Sequence, residues 1–199
     1  MTASRLVRAS LLTAAVALAL TACSAAASVS PSPSSSDSSA SSSSTPRPTG
    51  SSTATPIDGQ CATSDLTGAI GPGTGGAAGS VGVTIVLTNN GSAPCDLQGW
   101  PGVSFVGDGN GTQLGKAAGL DRSTPHPTVT LTAGGTAKAP LKITQAGNYS
   151  ADECKPKAAD GFRVYPPGST ESLFIKNTDF TACTVATVAL LTVGALVAG

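Results

Sequence analysis

From residue 57 onward the chain never sustains a helical apolar period. It offers short alternating stretches cut by Gly, Pro and Asn. That pattern admits strands and turns and little else. "VGVTIVLTNN" puts Val81, Val83, Ile85 and Leu87 on one face and Thr84 and Thr88 on the other. "VSFVGDGNGTQL" predicts a hairpin in which Asn110-Gly111 supplies the positive φ angles of a tight turn. "TVTLTAGGTAKAPLKIT" predicts a second pair of strands bent at Gly134-Gly135, and "FRVYPPG" with "SLFIK" a third around Pro166-Pro167-Gly168. Seven to nine short strands predict an all-β domain, an immunoglobulin-like β-sandwich, over residues 58–199. The glycine-rich "GPGTGGAAGS" reads as a long flexible loop between its first two strands.

The tail "TVATVALLTVGALVAG" allows two readings. A membrane anchor wants about 20 apolar residues with flanking charge. This run is shorter, lacks a basic stop and is interrupted by Thr187, Thr192 and Gly194. It is read as the last strand, bent at Gly194.

The other end of the chain carries an address. Arg5 and Arg8 precede an uncharged run from Ala9 to Leu20, the charged and apolar regions of a secretory signal over residues 1–22. The run closes on Leu20-Thr21-Ala22-Cys23, which resembles the bacterial lipobox: an aliphatic residue, two small residues and a cysteine. The Cys23 thiol is then expected to carry diacylglycerol and to become the first residue of the mature chain. Acyl chains contribute about 0.8 kcal/mol per buried CH₂, so two hold a protein firmly at a bilayer. The expected location is the extracytoplasmic side of the cell membrane, with the membrane itself a partner through Cys23. From Cys23 to residue 57 the composition collapses to Ser, Ala, Thr and Pro, with only Asp37 and Arg47 charged. Such a segment cannot bury enough apolar surface to offset its ordering entropy. It is expected to be a disordered tether with a reach of roughly 30 Å.

Charge and cysteine count limit the rest. Removing Arg5, Arg8 and Arg47 from eleven Lys+Arg leaves eight, and removing Asp37 from eleven Asp+Glu leaves ten, a net of −2. No basic stripe is present, so nucleic acid is not expected as a partner. Setting Cys23 aside leaves Cys61, Cys95, Cys154 and Cys183, an even set in an oxidising compartment. Of the three possible pairings, Cys61–Cys95 and Cys154–Cys183 are expected, because each brackets strands that can be neighbours. No Cys-x-x-Cys occurs and there is one histidine, so neither a metal site nor a cofactor is expected.

The block "LTNNGSAPCDLQGWPGV" carries a resemblance. A cysteine near the domain start (Cys61), a strand ending Leu87-Thr88-Asn89, Gly91, and Cys95-x-Leu97-x-Gly99-Trp100-Pro101-Gly102 are followed by Leu131-x-x-Gly134-Gly135. Cys154, the Pro166-Pro167-Gly168 turn, and Cys183 before a Val/Leu-rich end complete the pattern. Over nearly all of Cys61–Gly199 the chain resembles the actinobacterial secreted and lipoprotein family called domain of unknown function 4232. The resemblance implies an envelope-exposed β-sandwich with two disulfides and brings no activity.

Two functions remain open. A non-catalytic module would bind an envelope protein or glycan through Leu97, Trp100 and Pro101. Trp100, the sole tryptophan, is expected to pack on the Cys61–Cys95 bridge or cap the core, with ligand stacking as the alternative. A hydrolase would use His126, the sole histidine, with Ser123 or Ser104 and Asp121. No Gly-x-Ser-x-Gly elbow frames any serine, so the expectation is a non-enzyme. "DGNGT" lacks the glycine and final glutamate of a calcium loop and reads as a hairpin turn. Asp152, Glu153 and Asp160 beside Lys155 and Lys157 read as a solvated mixed-charge loop.

Overall fold

A computed structural model describes residues 57–73 and 75–199. The signal, Cys23 and tether readings lie outside the described residues. Fourteen strands occur among the described residues: β1 (Leu66–Pro72), β2 (Ser80–Asn89), β3 (Cys95–Gln98), β4 (Gly102–Gly107), β5 (Thr112–Leu114), β6 (Gly119–Leu120), β7 (Thr128–Leu131) and β8 (Thr136–Thr144), then, after a four-residue helix α1 (Ala151–Cys154), β9 (Pro156–Ala158), β10 (Gly161–Tyr165), β11 (Leu173–Lys176), β12 (Thr181–Cys183), β13 (Leu191–Val193) and β14 (Val197–Ala198). The all-β expectation holds. The strand number exceeds the expected seven to nine because Gly, Pro and Asn break the chain into pieces of two to four residues that still pair.

Four sheets result. The largest runs β1-β2-β8-β13-β6, with β14 also on β8; a second runs β11-β10-β4-β5; β12-β9 and β3-β7 are separate pairs. Period-2 alternation decides what each buries. On β8, Ala137, Ala139, Leu141 and Ile143 are buried while Lys138, Pro140 and Lys142 face solvent. In register on β2 lie Leu87 opposite Ala137 and Ile85 opposite Ala139, both leucine and isoleucine fully buried. In the second sheet Phe105 faces Phe162 across the ladder, their rings stacked at 4.9 Å. Side chains of both sheets join one core. Gly68 of β1 permits their approach, since a Cβ there would come within 2.6 Å of the Ile175 side chain on β11. Burying a Phe, Leu or Ile side chain contributes about 1.5–3 kcal/mol.

Both disulfides pair as expected. Cys61–Cys95 (Cα–Cα 4.8 Å) pins the domain's start to β3, and Cys154–Cys183 (4.6 Å) pins the end of α1 to β12. The tail forms β13 and β14, both antiparallel to β8 and separated by residues 194–196. Gly194 N–H donates to the Pro140 carbonyl, and a Cβ there would lie 2.6 Å from the Pro140 ring. No described helix is long and apolar enough to cross a membrane.

Three expectations need correction. In the β4–β5 hairpin the positive φ angles fall on Asp108, Gly109 and Gly111, not on Asn110. Asn110 instead accepts hydrogen bonds from the Thr112 N–H and hydroxyl through Oδ1, which closes the turn by side chain. Next, β7 and β8 flank Gly134-Gly135 but do not pair with each other; β7 joins β3 and β8 joins β2. The cause is Asn89, a buried residue at the end of β2. Its Nδ2 donates to the Leu131, Thr132 and Ala93 carbonyls, and its main chain bonds to Gly134 and Gly135. That plug turns the chain out of one sheet and into another. Lastly, the glycine-rich segment begins and ends in strand, with Gly71 and Pro72 closing β1 and Ser80 opening β2, and Gly82 N–H donates to the Gly75 carbonyl.

Candidate aromatic and cationic site

The β3–β7 pair positions the block that carries the tryptophan. Leu97 lies opposite Val129 and Cys95 opposite Leu131, so this face is the core face. Asp96 and Thr130 point the other way, joined by a 2.6 Å hydrogen bond from the Thr130 hydroxyl to Asp96 Oδ1. Leu97 is therefore fully buried and Pro101 is buried too, which removes both from the expected binding surface. Alternation from Cys95 dictates the first. The second follows from Gly102 opening β4 immediately after it, which carries the chain inward.

Gly99 turns the backbone at φ +106°, a conformation side-chain-bearing residues rarely adopt. Its carbonyl accepts from Leu196 N–H at 2.8 Å, tying the turn to the chain's last segment. Trp100 emerges from that turn half-buried. Its indole Nε1–H donates to the Asp121 carbonyl at 2.6 Å, and Asp121 N–H donates to the Val193 carbonyl. The fold thus fixes both the ring and the start of the 121–127 loop.

That loop brings two further side chains to the indole. The His126 ring lies 4.6 Å from it, tilted by 54°, and Arg122 Cζ lies 4.6 Å from its centroid. An exposed cation–π contact contributes about 0.5–1 kcal/mol, enough to bias the guanidinium's position. Asp121 carries the nearest carboxylate in sequence, and its bonds are local. The Ser123 hydroxyl and N–H hold its carboxyl below the ordinary carboxylate range, and Lys142 acts in the same direction from further away. Arg122, Asp121 and His126 are all exposed. The result is a half-buried indole with one guanidinium over its ring and one imidazole tilted against it.

The residues named for a hydrolase make other contacts. Asp121 bonds Ser123; His126 meets Trp100; Ser104 is buried within β4, opposite Arg163. Among the described residues no hydrogen bond joins His126 to a carboxylate or a hydroxyl, and no group of three or more His, Cys, Asp or Glu could hold a metal. Arg122 was missed by sequence reasoning. Its only signal was to be a lone cation between Asp121 and the Ser-Thr-Pro run. The mixed-charge region is structural: Glu153 caps α1, Lys157 pairs with Asp108, and Asp160 accepts from Gly109 N–H.

No curated protein and no solved structure matches the chain. A family model described as domain of unknown function, DUF4232, matches residues 61–197, from the first bridged cysteine to the last strand, and the chain belongs to that family.

Proposed function

We propose that this chain is a lipid-anchored envelope protein, held on the extracytoplasmic side of the cell membrane through Cys23. Its β-rich domain, taken as an immunoglobulin-like sandwich, works by binding a protein or glycan of the envelope rather than by catalysis. The observation that carries the binding reading is the Trp100 site, where the sole histidine serves as a ring neighbour of the sole tryptophan beside Arg122. General acid–base catalysis asks instead for a partner within hydrogen-bond reach. Support for the address comes from Leu20-Thr21-Ala22-Cys23 after a charged and apolar start.

Each half has its own test. Cys23→Ala should abolish incorporation of radiolabelled fatty acid and release the protein from membranes; retention after a high-salt wash overturns the anchor. For binding, the full chain and its Trp100→Ala and Arg122→Ala variants are used to capture solubilised envelope components. A component retained by the wild type and lost in both variants is expected. Turnover of a wall glycan, peptide or ester that His126→Ala abolishes overturns the reading in favour of a hydrolase.

A further inference from the structure

The chain holds two Asn-Gly pairs, Asn90-Gly91 and Asn110-Gly111. In such a pair the second residue has no side chain to keep its nitrogen away from the asparagine amide. That nitrogen can attack the asparagine Cγ and close a five-membered ring. Both asparagines are exposed, and both lie just outside strands, Asn90 after β2 and Asn110 between β4 and β5. The fold nonetheless gives the two pairs opposite surroundings.

At Asn90-Gly91 the reacting groups are held. Gly91 N–H, the nucleophile, donates to Asn89 Oδ1 at 2.9 Å. Asn90 Nδ2, the leaving group, donates to Thr67 Oγ1 at 3.0 Å, and Asn90 N–H donates to the Asp65 carbonyl at 2.7 Å. The neighbouring charge is negative, since a Cβ on Gly91 would lie 3.3 Å from Asp65 Cγ. A carboxylate there disfavours loss of the amide proton.

At Asn110-Gly111 the contacts run the other way. Gly111 N–H, outside both strands of the hairpin, donates to no acceptor among the described residues. Asn110 Oδ1 accepts from the Thr112 N–H at 3.0 Å and from its hydroxyl at 2.7 Å. Those donors meet the oxygen that turns negative when Cγ becomes tetrahedral, the arrangement of an oxyanion hole. Here the neighbouring charge is positive. Arg163 Nη2 donates to the Gly111 carbonyl, and a Cβ on Gly111 would lie 3.4 Å from that nitrogen. Arg163 is half-buried and forms no ion pair among the described residues, so its charge favours the amide anion that attacks.

We infer that Asn110 is a site of spontaneous deamidation in the folded domain, and that the same fold protects Asn90. A base from solvent removes the Gly111 N–H proton, the nitrogen bonds to Asn110 Cγ, and the Cγ–Nδ2 bond breaks. Nδ2 leaves as ammonia, taking its third proton from water, and a succinimide remains. Water then opens the ring at either carbonyl, giving aspartate or isoaspartate. One water is consumed and one ammonia released, with no oxidation. The product sets a carboxylate between Gly109 and Gly111, which line a groove of about 500 Å³ together with Asp160, Arg163 and Lys176. Two cations there face one carboxylate, and deamidation supplies the second. The turn therefore carries a slow, one-way change of charge beside the half-buried guanidinium.

The test incubates the full folded chain in warm neutral buffer and follows both pairs by peptide mapping, with isoaspartyl methyltransferase to label isoaspartate. Asn110 should convert about tenfold faster than Asn90, a barrier difference of about 1.4 kcal/mol. In concentrated guanidinium chloride with the disulfides reduced, the two rates should converge, because the pairs are then distinguished only by their flanking sequence. Arg163→Gln and Thr112→Val should each slow Asn110 severalfold and leave Asn90 unchanged. If Arg163→Gln fails to fold, Thr112→Val, at an exposed position, carries the comparison. Equal rates in the folded chain, faster conversion at Asn90, or a difference that persists in denaturant would each overturn the inference. So would an Asn110 rate that neither substitution changes.

Discussion

Trp100 and His126 face each other at the position where the β3–β7 ladder would continue if it had not ended. The last pair of that ladder is Gln98 with Thr128. Two residues on along one strand and two back along the other are Trp100 and His126, and their rings meet at 4.6 Å. Gly99 and the prolines on both sides of His126 end the hydrogen bonding, yet the side chains keep the register. Because the chain has one tryptophan, its emission reports on the surroundings of Trp100. His126→Ala and Arg122→Ala should each change Trp100 emission and its accessibility to a soluble quencher, while shifting unfolding free energy by less than about 1 kcal/mol, as for exposed ring and cation contacts. Unchanged emission in both variants would mean that the 121–127 loop does not rest on the indole.

Much of the strand content was legible because alternation reports which face is buried. It gave β2, β4, β8, β10 and β11 directly. Applied consistently it also places Leu97 inward from Cys95, and puts Phe174 and Lys176 on the solvent side of Leu173 and Ile175. Pairing was less legible. Gly134-Gly135 has the local chemistry of a hairpin bend, and nothing nearby says that β7 and β8 part there. The deciding group is Asn89, more than 40 residues earlier, reaching the Leu131 carbonyl. For the same reason Trp100 and His126 read as two separate features. Their contact depends on the β3–β7 register, a long-range fact.

Asn89→Ala should cost about 3 kcal/mol. The side chain is 1% exposed, donates to the Ala93 carbonyl and to carbonyls just before the Gly134-Gly135 bend, and accepts from Gly91 N–H at 2.9 Å. Removing it leaves buried main-chain groups without partners, at about 1–3 kcal/mol for each group. Chemical denaturation of wild type and variant measures the difference. Asn89→Asp should also be destabilising, because it keeps the bond from Gly91 but loses the donor. A loss below about 0.5 kcal/mol would show that water replaces these bonds and that the plug does not set the topology.

Non-reducing peptide mapping should find Cys61 linked to Cys95 and Cys154 linked to Cys183, with no cross-pairing. The bridges close separations of 34 and 29 residues. Constraining the unfolded chain over loops of that size contributes about 3–4 kcal/mol each in the chain-entropy model. Paired Cys→Ala replacements should lower stability by that order. Cys61–Cys95 joins a segment that otherwise meets β3 only by short main-chain contacts at residues 59–61 and 96, so its loss should raise hydrogen exchange first at the domain's start.

The acid limb of stability should depend on Glu153. In α1 the Ser150 hydroxyl accepts from Glu153 N–H at 3.3 Å, while Glu153 Oε2 accepts from Ser150 N–H at 3.1 Å and from its hydroxyl at 2.8 Å. This reciprocal cap starts a helix of only four residues, which then delivers Cys154 to its disulfide. The Ser150 hydroxyl and N–H hold the Glu153 carboxyl below its ordinary value of 4.5. A carboxyl lowered in the folded state binds its proton more readily in the unfolded chain. Its stabilisation is therefore complete above the unfolded value and fades as pH falls through the lowered one. Asp121, bonded to Ser123, acts with the same sign. Wild type should accordingly lose more stability between about pH 5 and pH 2 than Glu153→Gln, and the Glu153→Gln, Asp121→Asn pair should have a flatter acid limb still. Thermal melts across that range, with disulfides intact, provide the comparison. Parallel acid limbs in all three proteins would place the pH dependence on other carboxylates and reduce the cap to a neutral hydrogen-bond pair.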